Sequence, residues 1–66
     1  MSVWLVRDVE KEHDQKFGVM LERPLKGGGK DQLYLTLRYS SELYQSLTAA
    51  KNKGHAVTVD PRWIEP

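Results

Sequence analysis

The sequence predicts an α+β fold: a single small domain of order β-β-β-α-β, in which one helix packs on one face of a mostly antiparallel sheet. Apolar and polar residues alternate strictly over residues 32–39, which is the period of a half-buried strand. A helical pattern with a capping residue at each end covers residues 41–53. Short segments rich in β-branched and aromatic residues flank these two elements. One sheet covered by one helix is the simplest assembly of such elements.

The length of 66 residues limits the chain to one domain, residues 1–66. A chain this short buries only about 60% of its unfolded surface, which leaves no room for a second core or a deep enclosed site. The chain contains no cysteine, so disulfides, thiolate zinc sites and thiol nucleophiles are excluded. Stability therefore has to come from one apolar core.

The first two strands are predicted over residues 3–9 and 17–23. Both segments are rich in residues that favour extended backbone. The connecting residues 10–16 contain no apolar side chain and are expected to form a solvent-exposed loop. On the second strand, alternate residues are apolar and lie on one side of the strand: Phe17, Val19 and Leu21. This side is expected to face the core.

The third strand is predicted over residues 32–39, with Leu33, Leu35 and Leu37 on one side. Pro24 ends the preceding strand because it lacks an amide donor. The three glycines at residues 27–29 accept either sign of φ and predict a flexible hairpin loop. This loop is not a phosphate-binding loop, since a strand follows it rather than a helix.

The helix is predicted over residues 41–53. Ser40 or Ser41 can cap its first turn, and Glu42 lies where the helix dipole favours an anion. Its apolar stripe is formed by Leu43, Leu47 and Ala50. Gly54 follows the last turn, where a left-handed residue commonly ends a helix. The helix is therefore amphipathic and packs on one surface only.

A short fourth strand is predicted over residues 55–60 and ends at Pro61. A right-handed crossover through the helix would place it parallel to the third strand or to the first strand, and the sequence leaves both placements open. Residues 61–66 form a tail in which Trp63 and Ile64 could pin the chain to the domain.

The sheet face that the single helix leaves uncovered is the candidate binding surface. If Leu33, Leu35 and Leu37 point to the helix, the intervening residues of the third strand point away from it. We expect Val3 and Leu5 to point inward, so that the open face is aromatic and apolar. The expected partner-binding residues are Trp4, Val6, Met20, Tyr34, Thr36 and Arg38, with a basic rim of Arg23, Lys26 and Lys30. Such residue types are enriched at protein interfaces.

Two alternatives to this open binding face remain at the level of the sequence. In the first, Trp4 points inward and contributes to the core. In the second, Trp63 and Ile64 of the tail fold across the open face and cover it. Both alternatives would reduce the apolar area offered to a partner.

No catalytic, cofactor or metal site is predicted. The acidic loop offers Glu10, Glu12, His13 and Asp14, but no spacing that fixes a metal geometry. The remaining candidates for acid-base chemistry are His13, His55, Arg38, Tyr39 and Asp60. Nothing in their spacing brings them together, so we do not expect an enzyme.

The function expected from elimination is that of a small non-enzymatic binding protein with a protein partner. We hypothesise an inhibitor or regulator of the type that phages and mobile elements encode, directed at a host nucleic-acid machine such as a CRISPR complex, a nuclease or a polymerase. The alternative is a small nucleic-acid-binding protein that stacks bases on Trp4 and Tyr34 and uses the basic loop for phosphates. A homodimer through the open face is a third arrangement.

Charge and hydropathy favour a cytoplasmic protein without a membrane partner. The formal net charge is +1 at neutral pH, which is too small to indicate a nucleic acid or a membrane surface. Charged residues follow directly after the N-terminal segment 1–6, unlike the apolar core of a secretory signal.

Overall fold

The structure, a computed structural model, describes the backbone of residues 3–64 and the side chains of residues 3–63. Its elements are β1 (Val3–Lys11), β2 (Lys16–Pro24), β3 (Lys30–Arg38), α1 (Ser41–Lys53), β4 (Ala56–Thr58) and a 3-10 helix (Pro61–Ile64). The sheet order is β3-β2-β1-β4, and every neighbouring pair is antiparallel. The predicted order β-β-β-α-β and the α+β class are confirmed.

The placement of β4 differs from both predicted alternatives. It pairs antiparallel with β1, with Val3 opposite Thr58 and Leu5 opposite Ala56. The reason is that α1 begins where β3 ends and runs back along the sheet, and only Gly54 and His55 separate it from β4. β4 therefore runs in the same direction as α1, which is antiparallel to β1. The prediction of a parallel fourth strand is wrong.

The caps of α1 and the turns follow the local sequence. The Ser40 Oγ accepts a hydrogen bond from the Leu43 N–H, and Gly54 adopts a left-handed φ of 70°. In the turn between β1 and β2, Asp14 and Gln15 have φ values of 61° and 59°, which are unfavourable for residues with a Cβ. The turn is shorter than the predicted loop because Glu10 and Lys11 still pair with β2.

A bulge in β1 decides which residues reach the core. Val6 lies opposite Leu21, but Asp8 lies opposite Met20, so Arg7 is an extra residue without an opposite partner. An extra residue reverses the alternation of the side chains. Even-numbered residues of β1 therefore face α1 before the bulge, and odd-numbered residues do so after it.

The bulge overturns the predicted orientation of the first strand. Trp4 and Val6 are only 7% and 5% exposed and belong to the hydrophobic core, so their prediction as open-face residues is wrong. Val3 is instead 51% exposed. The sequence did not reveal this because residues 3–6 are all apolar and give no alternation to follow.

The core lies between the sheet and α1. It consists of Trp4, Val6, Phe17, Val19, Leu21, Leu35, Leu37 and Leu47. The inward directions of the second and third strands are thus confirmed for Phe17 and Leu37 and their alternate neighbours. Trp63 packs against the same core, and the 3-10 helix contacts β3. The tail therefore lies on the helix side of the sheet, and the alternative in which Trp63 covers the open face is wrong. The side chain of Ile64 lies outside the described residues.

Candidate functional site

The outer edge of β3 is the longest unpaired edge of the described sheet. β3 is nine residues long and has β2 on one side only. The Tyr39 N–H donates to the Gln15 carbonyl over 2.6 Å, and the Leu25 N–H donates to the Gly29 carbonyl over 3.2 Å. These two pairs continue the β2–β3 register by one residue beyond each of its ends. They show which residues of β3 bond to β2.

In an antiparallel ladder, alternate residues bond to one neighbouring strand and the intervening residues point to the other side. The two flanking bonds therefore assign odd-numbered residues of β3 to β2. The residues that direct their N–H and C=O groups to the free edge are Gln32, Tyr34, Thr36 and Arg38. No backbone group elsewhere in residues 3–64 bonds to them. The register along β3 is uninterrupted, so this edge is a regular template for another strand.

A polar network occupies the middle of the outer sheet face. The Glu22 carboxylate accepts hydrogen bonds from Arg7 Nε over 2.8 Å and Gln32 Nε2 over 3.2 Å. Lys30 Nζ lies 3.6 Å from the same carboxylate. Burial alone would raise the pKa of Glu22, but these hydrogen bonds and the Arg7 and Lys30 cations lower it below its ordinary value. The network separates Val3 and Leu5 from Tyr34, so the outer face is not the continuous apolar surface that the sequence predicts.

Tyr34 lies across Gly18 on this face. A Cβ at Gly18 would lie 2.7 Å from Tyr34 Cζ and 2.9 Å from Glu12 Oε2. The Tyr34 hydroxyl donates a hydrogen bond to Glu12. This bond, desolvation and the nearby carboxylates of Glu12, Glu10 and Asp8 raise the pKa of Tyr34 to about 12. Tyr34 is 47% exposed, but its surroundings are acidic.

A basic groove lies at the C-terminal end of β3, with a volume of about 490 Å³. Its polar lining consists of Lys16, Thr36, Arg38 and Arg62. Its apolar lining consists of Leu37, Leu43 and Trp63. Lys16 and Arg38 are directly opposite each other on β2 and β3. Neither forms an ion pair with a described carboxylate. The groove therefore holds two cations that lack an ion-pair partner among the described residues, called uncompensated below, beside a half-buried indole.

Arg62 is held in place by its neighbour Asp60. Arg62 Nη2 and Nε lie 2.7 and 3.1 Å from Asp60 Oδ2, and the Arg62 N–H donates to Asp60 Oδ1. The side-chain and backbone hydrogen bonds from Arg62 lower the pKa of Asp60. Arg62 is thus already compensated, and the uncompensated charge belongs to Lys16 and Arg38.

The structure separates the predicted site residues into several places. Met20, Tyr34, Thr36 and Arg38 share the outer side of the sheet, and Thr36 and Arg38 also line the groove. The guanidinium of Arg23 stacks on the core residue Trp4 at 4.4 Å and pairs with Asp31, so Arg23 lies on the helix side rather than on the rim of the open face. The physical reason is its parity: Arg23 is in phase with the inward residue Leu21.

Two other predicted cations lie at the far end of the sheet. Lys26 is exposed in the glycine loop, and Lys30 begins β3. The turn between β1 and β2, next to Lys16, lies at the opposite end. Lys26 and Lys30 are therefore not part of the basic groove.

Sequence reasoning missed Lys16, Arg62 and Trp63 as groove residues. They lie on the second strand and the tail, and no local pattern links these segments. Only the docking of the 3-10 helix against β3 brings them together.

Residues 3–64 contain no group of three or more His, Cys, Asp or Glu side chains placed to hold a metal ion. Within the same range no helix has the length and apolar character needed to cross a membrane. No protein-family model matches the chain, and comparison with curated proteins and with solved structures finds no significant match.

Proposed function

We propose that this chain is a small non-enzymatic binding protein that captures an extended segment of a partner protein along the free edge of β3. The observation that carries the proposal is the regular row of unpaired backbone groups from Gln32 to Arg38. An extended peptide that adds to such an edge gains main-chain hydrogen bonds, while side-chain pockets beside the edge give specificity. The basic groove lies at the end of this edge.

The charges of β3 favour a different protein over a second copy of the same chain. Full antiparallel pairing of two β3 strands about a twofold axis would place Tyr34 opposite Tyr34 and Lys30 opposite Arg38. Like charges directly opposite each other destabilise a strand pair. This repulsion would occur twice in the dimer. A partner strand with acidic residues meets no such penalty.

The residues that remain on the outer face do not favour nucleic acid. Trp4, one of the two proposed stacking residues, is buried. Tyr34, the other, donates its hydroxyl to Glu12 near Glu10 and Asp8. A phosphate backbone passing this face would meet negative charge. The observations therefore support a protein partner more strongly than a nucleic acid.

Strand capture also agrees with the hypothesis of an inhibitor or regulator. A domain with no room for a deep active site can act by occupying an edge or a segment of a larger assembly. The nature of that assembly, including a nucleic-acid machine of a host cell, stays a prediction, as does a cytoplasmic location.

The test is a pair of substitutions at Thr36. Proline lacks the N–H group, and at Thr36 this N–H points to the free edge rather than to β2, so Thr36→Pro blocks strand addition without removing a ladder bond. Thr36→Val keeps the N–H and is the matched control. Proteins captured from a lysate by the wild-type chain and by Thr36→Val are expected to be lost with Thr36→Pro.

Amide hydrogen exchange provides a second readout that does not depend on the folding of the proline variant. In the complex of the wild-type chain with a captured protein, the amides of Gln32, Tyr34, Thr36 and Arg38 should gain protection. A partner that binds folded Thr36→Pro as tightly as wild type, and leaves these amides unprotected, would show that the β3 edge is not the binding site.

A further inference from the structure

We infer that the basic groove is a binding site for an acidic side chain of the captured strand, so that the preferred partner segment is an extended peptide with a glutamate or aspartate near the C-terminal end of β3. This inference rests on the proposed strand addition and names the chemistry of the segment that is added.

The first argument is the uncompensated charge of the groove. Lys16 and Arg38 occupy directly opposite positions on β2 and β3, and neither has a carboxylate partner within residues 3–64. Like charges directly opposite each other destabilise a strand pair. An anion between the two side chains removes this repulsion.

The contrast with the other cations of β2 and β3 strengthens the argument. Lys30 lies 3.6 Å from Glu22, and Arg23 lies 3.2 Å from Asp31. Described carboxylates thus pair with the cations at one end of these strands, whereas no described carboxylate pairs with Lys16 or Arg38 at the other end. A carboxylate from outside the chain would complete the pattern.

The second argument is the position and shape of the groove. A strand added to β3 lies about 4.8 Å from it, which is next to Thr36 and Arg38. Arg38 carries a planar guanidinium that can hold both oxygens of a carboxylate. Trp63 and Leu43 line the apolar side of the groove. Apolar surface on one side of the groove replaces part of the surrounding water and strengthens an ion pair relative to one in open solvent.

The third argument concerns the size of the anion. An adjoining hollow is lined by Glu12, His13 and Asp14 as well as by Lys16. Lys11 also lines this hollow, which therefore carries as many carboxylates as lysines, so the positive surface does not continue past Lys16 as a chain of phosphates would require. A single carboxylate side chain requires only the two cations of the groove. This favours an acidic peptide over a nucleic acid.

The experiment is a titration of the full ¹⁵N-labelled chain, followed by NMR, with a short peptide of alternating threonine and glutamate. A peptide of alternating threonine and lysine is the charge control, and oligothymidylate is the nucleic-acid control. The glutamate peptide should shift the amides of β3, Lys16 and Trp63, and added salt should weaken its binding. Arg38→Glu is expected to weaken it at least about tenfold and to favour the lysine peptide.

Two variants complete the test. Lys16→Glu should reproduce the loss if Arg38→Glu disturbs folding. Lys26→Glu makes the same charge change in the glycine loop at the other end of the sheet, and it should bind the glutamate peptide about as wild type does. Equal binding of the glutamate and lysine peptides, or tighter binding of oligothymidylate, would overturn the inference.

The result also separates the inference from the proposed function. One outcome is that the glutamate peptide protects the outward amides of β3 from hydrogen exchange equally in the wild-type chain and in Arg38→Glu. That result supports strand addition and overturns the acidic site. Shifts confined to the groove, with the amides of Gln32 and Tyr34 exchanging as in the free chain, overturn strand addition and leave only a carboxylate site.

Discussion

Replacement of Trp4 by alanine distinguishes a core residue from a binding residue. Trp4 is 7% exposed, packs in the core and carries the Arg23 guanidinium on its ring. Loss of a buried tryptophan costs about 3–5 kcal/mol, and loss of the stacked cation adds about 0.5–1 kcal/mol. At roughly 0.05–0.15 kcal/mol per residue, a chain of this length has a total stability of about 3–10 kcal/mol. Trp4→Ala should therefore remove a third or more of the stability.

Urea unfolding followed by circular dichroism measures this change. Tyr34→Ala is the comparison, because Tyr34 is 47% exposed and lies on the outer face. We expect Tyr34→Ala to unfold at a clearly higher urea concentration than Trp4→Ala. If Trp4→Ala lost less than about 1 kcal/mol, the side chain would not lie in the core, and the pairing of Val6 with Leu21 that turns Trp4 inward would be incorrect.

Tyr34 should lose its hydroxyl proton at a higher pH than an ordinary tyrosine. Its hydrogen bond to Glu12 stabilises the fold fully below pH 10 and is lost as the pH rises through about 12. In an absorbance titration, Glu12→Gln should lower the pKa of Tyr34. The control is Asp14→Asn. An unchanged pKa in Glu12→Gln, or an equal change in Asp14→Asn, would contradict the hydrogen bond from Tyr34 to Glu12. The strained turn gives a stability prediction: Gln15→Gly should raise the unfolding free energy by about 0.5 kcal/mol in urea, because Gln15 has a φ of 59°. A loss of stability would disprove strain at Gln15.

Much of the fold follows from local patterns. The alternation around Leu35 predicts β3 and its inward face, and Ser40 and Gly54 predict the limits of α1. These features were predictable because each depends on residues that are close in the sequence. The direction of β4 was not, since it depends on where α1 ends relative to β1 rather than on the sequence of residues 55–60.

The candidate site was less predictable than the fold. Thr36 and Arg38 were identified from the alternation of a single strand, and they line the groove. Trp4 was placed on the wrong face because a bulge changes the phase of a strand without leaving a signal in an uninterrupted apolar run. Trp63 could be assigned to the groove only once the packing of the tail was known.

The extra residue at Arg7 also restricts how β1 and β2 can misalign. Their connecting turn contains no glycine, and Asp14 and Gln15 are in an unfavourable conformation, so the turn alone is a weak determinant of register. Sliding β1 by one residue along β2 would expose Trp4 and Val6 on one side of the bulge and turn Val9 outward on the other. A slipped hairpin would lose apolar contacts from both halves at once. The native register of β1 and β2 is therefore specified by core contacts on both sides of Arg7 rather than by the turn.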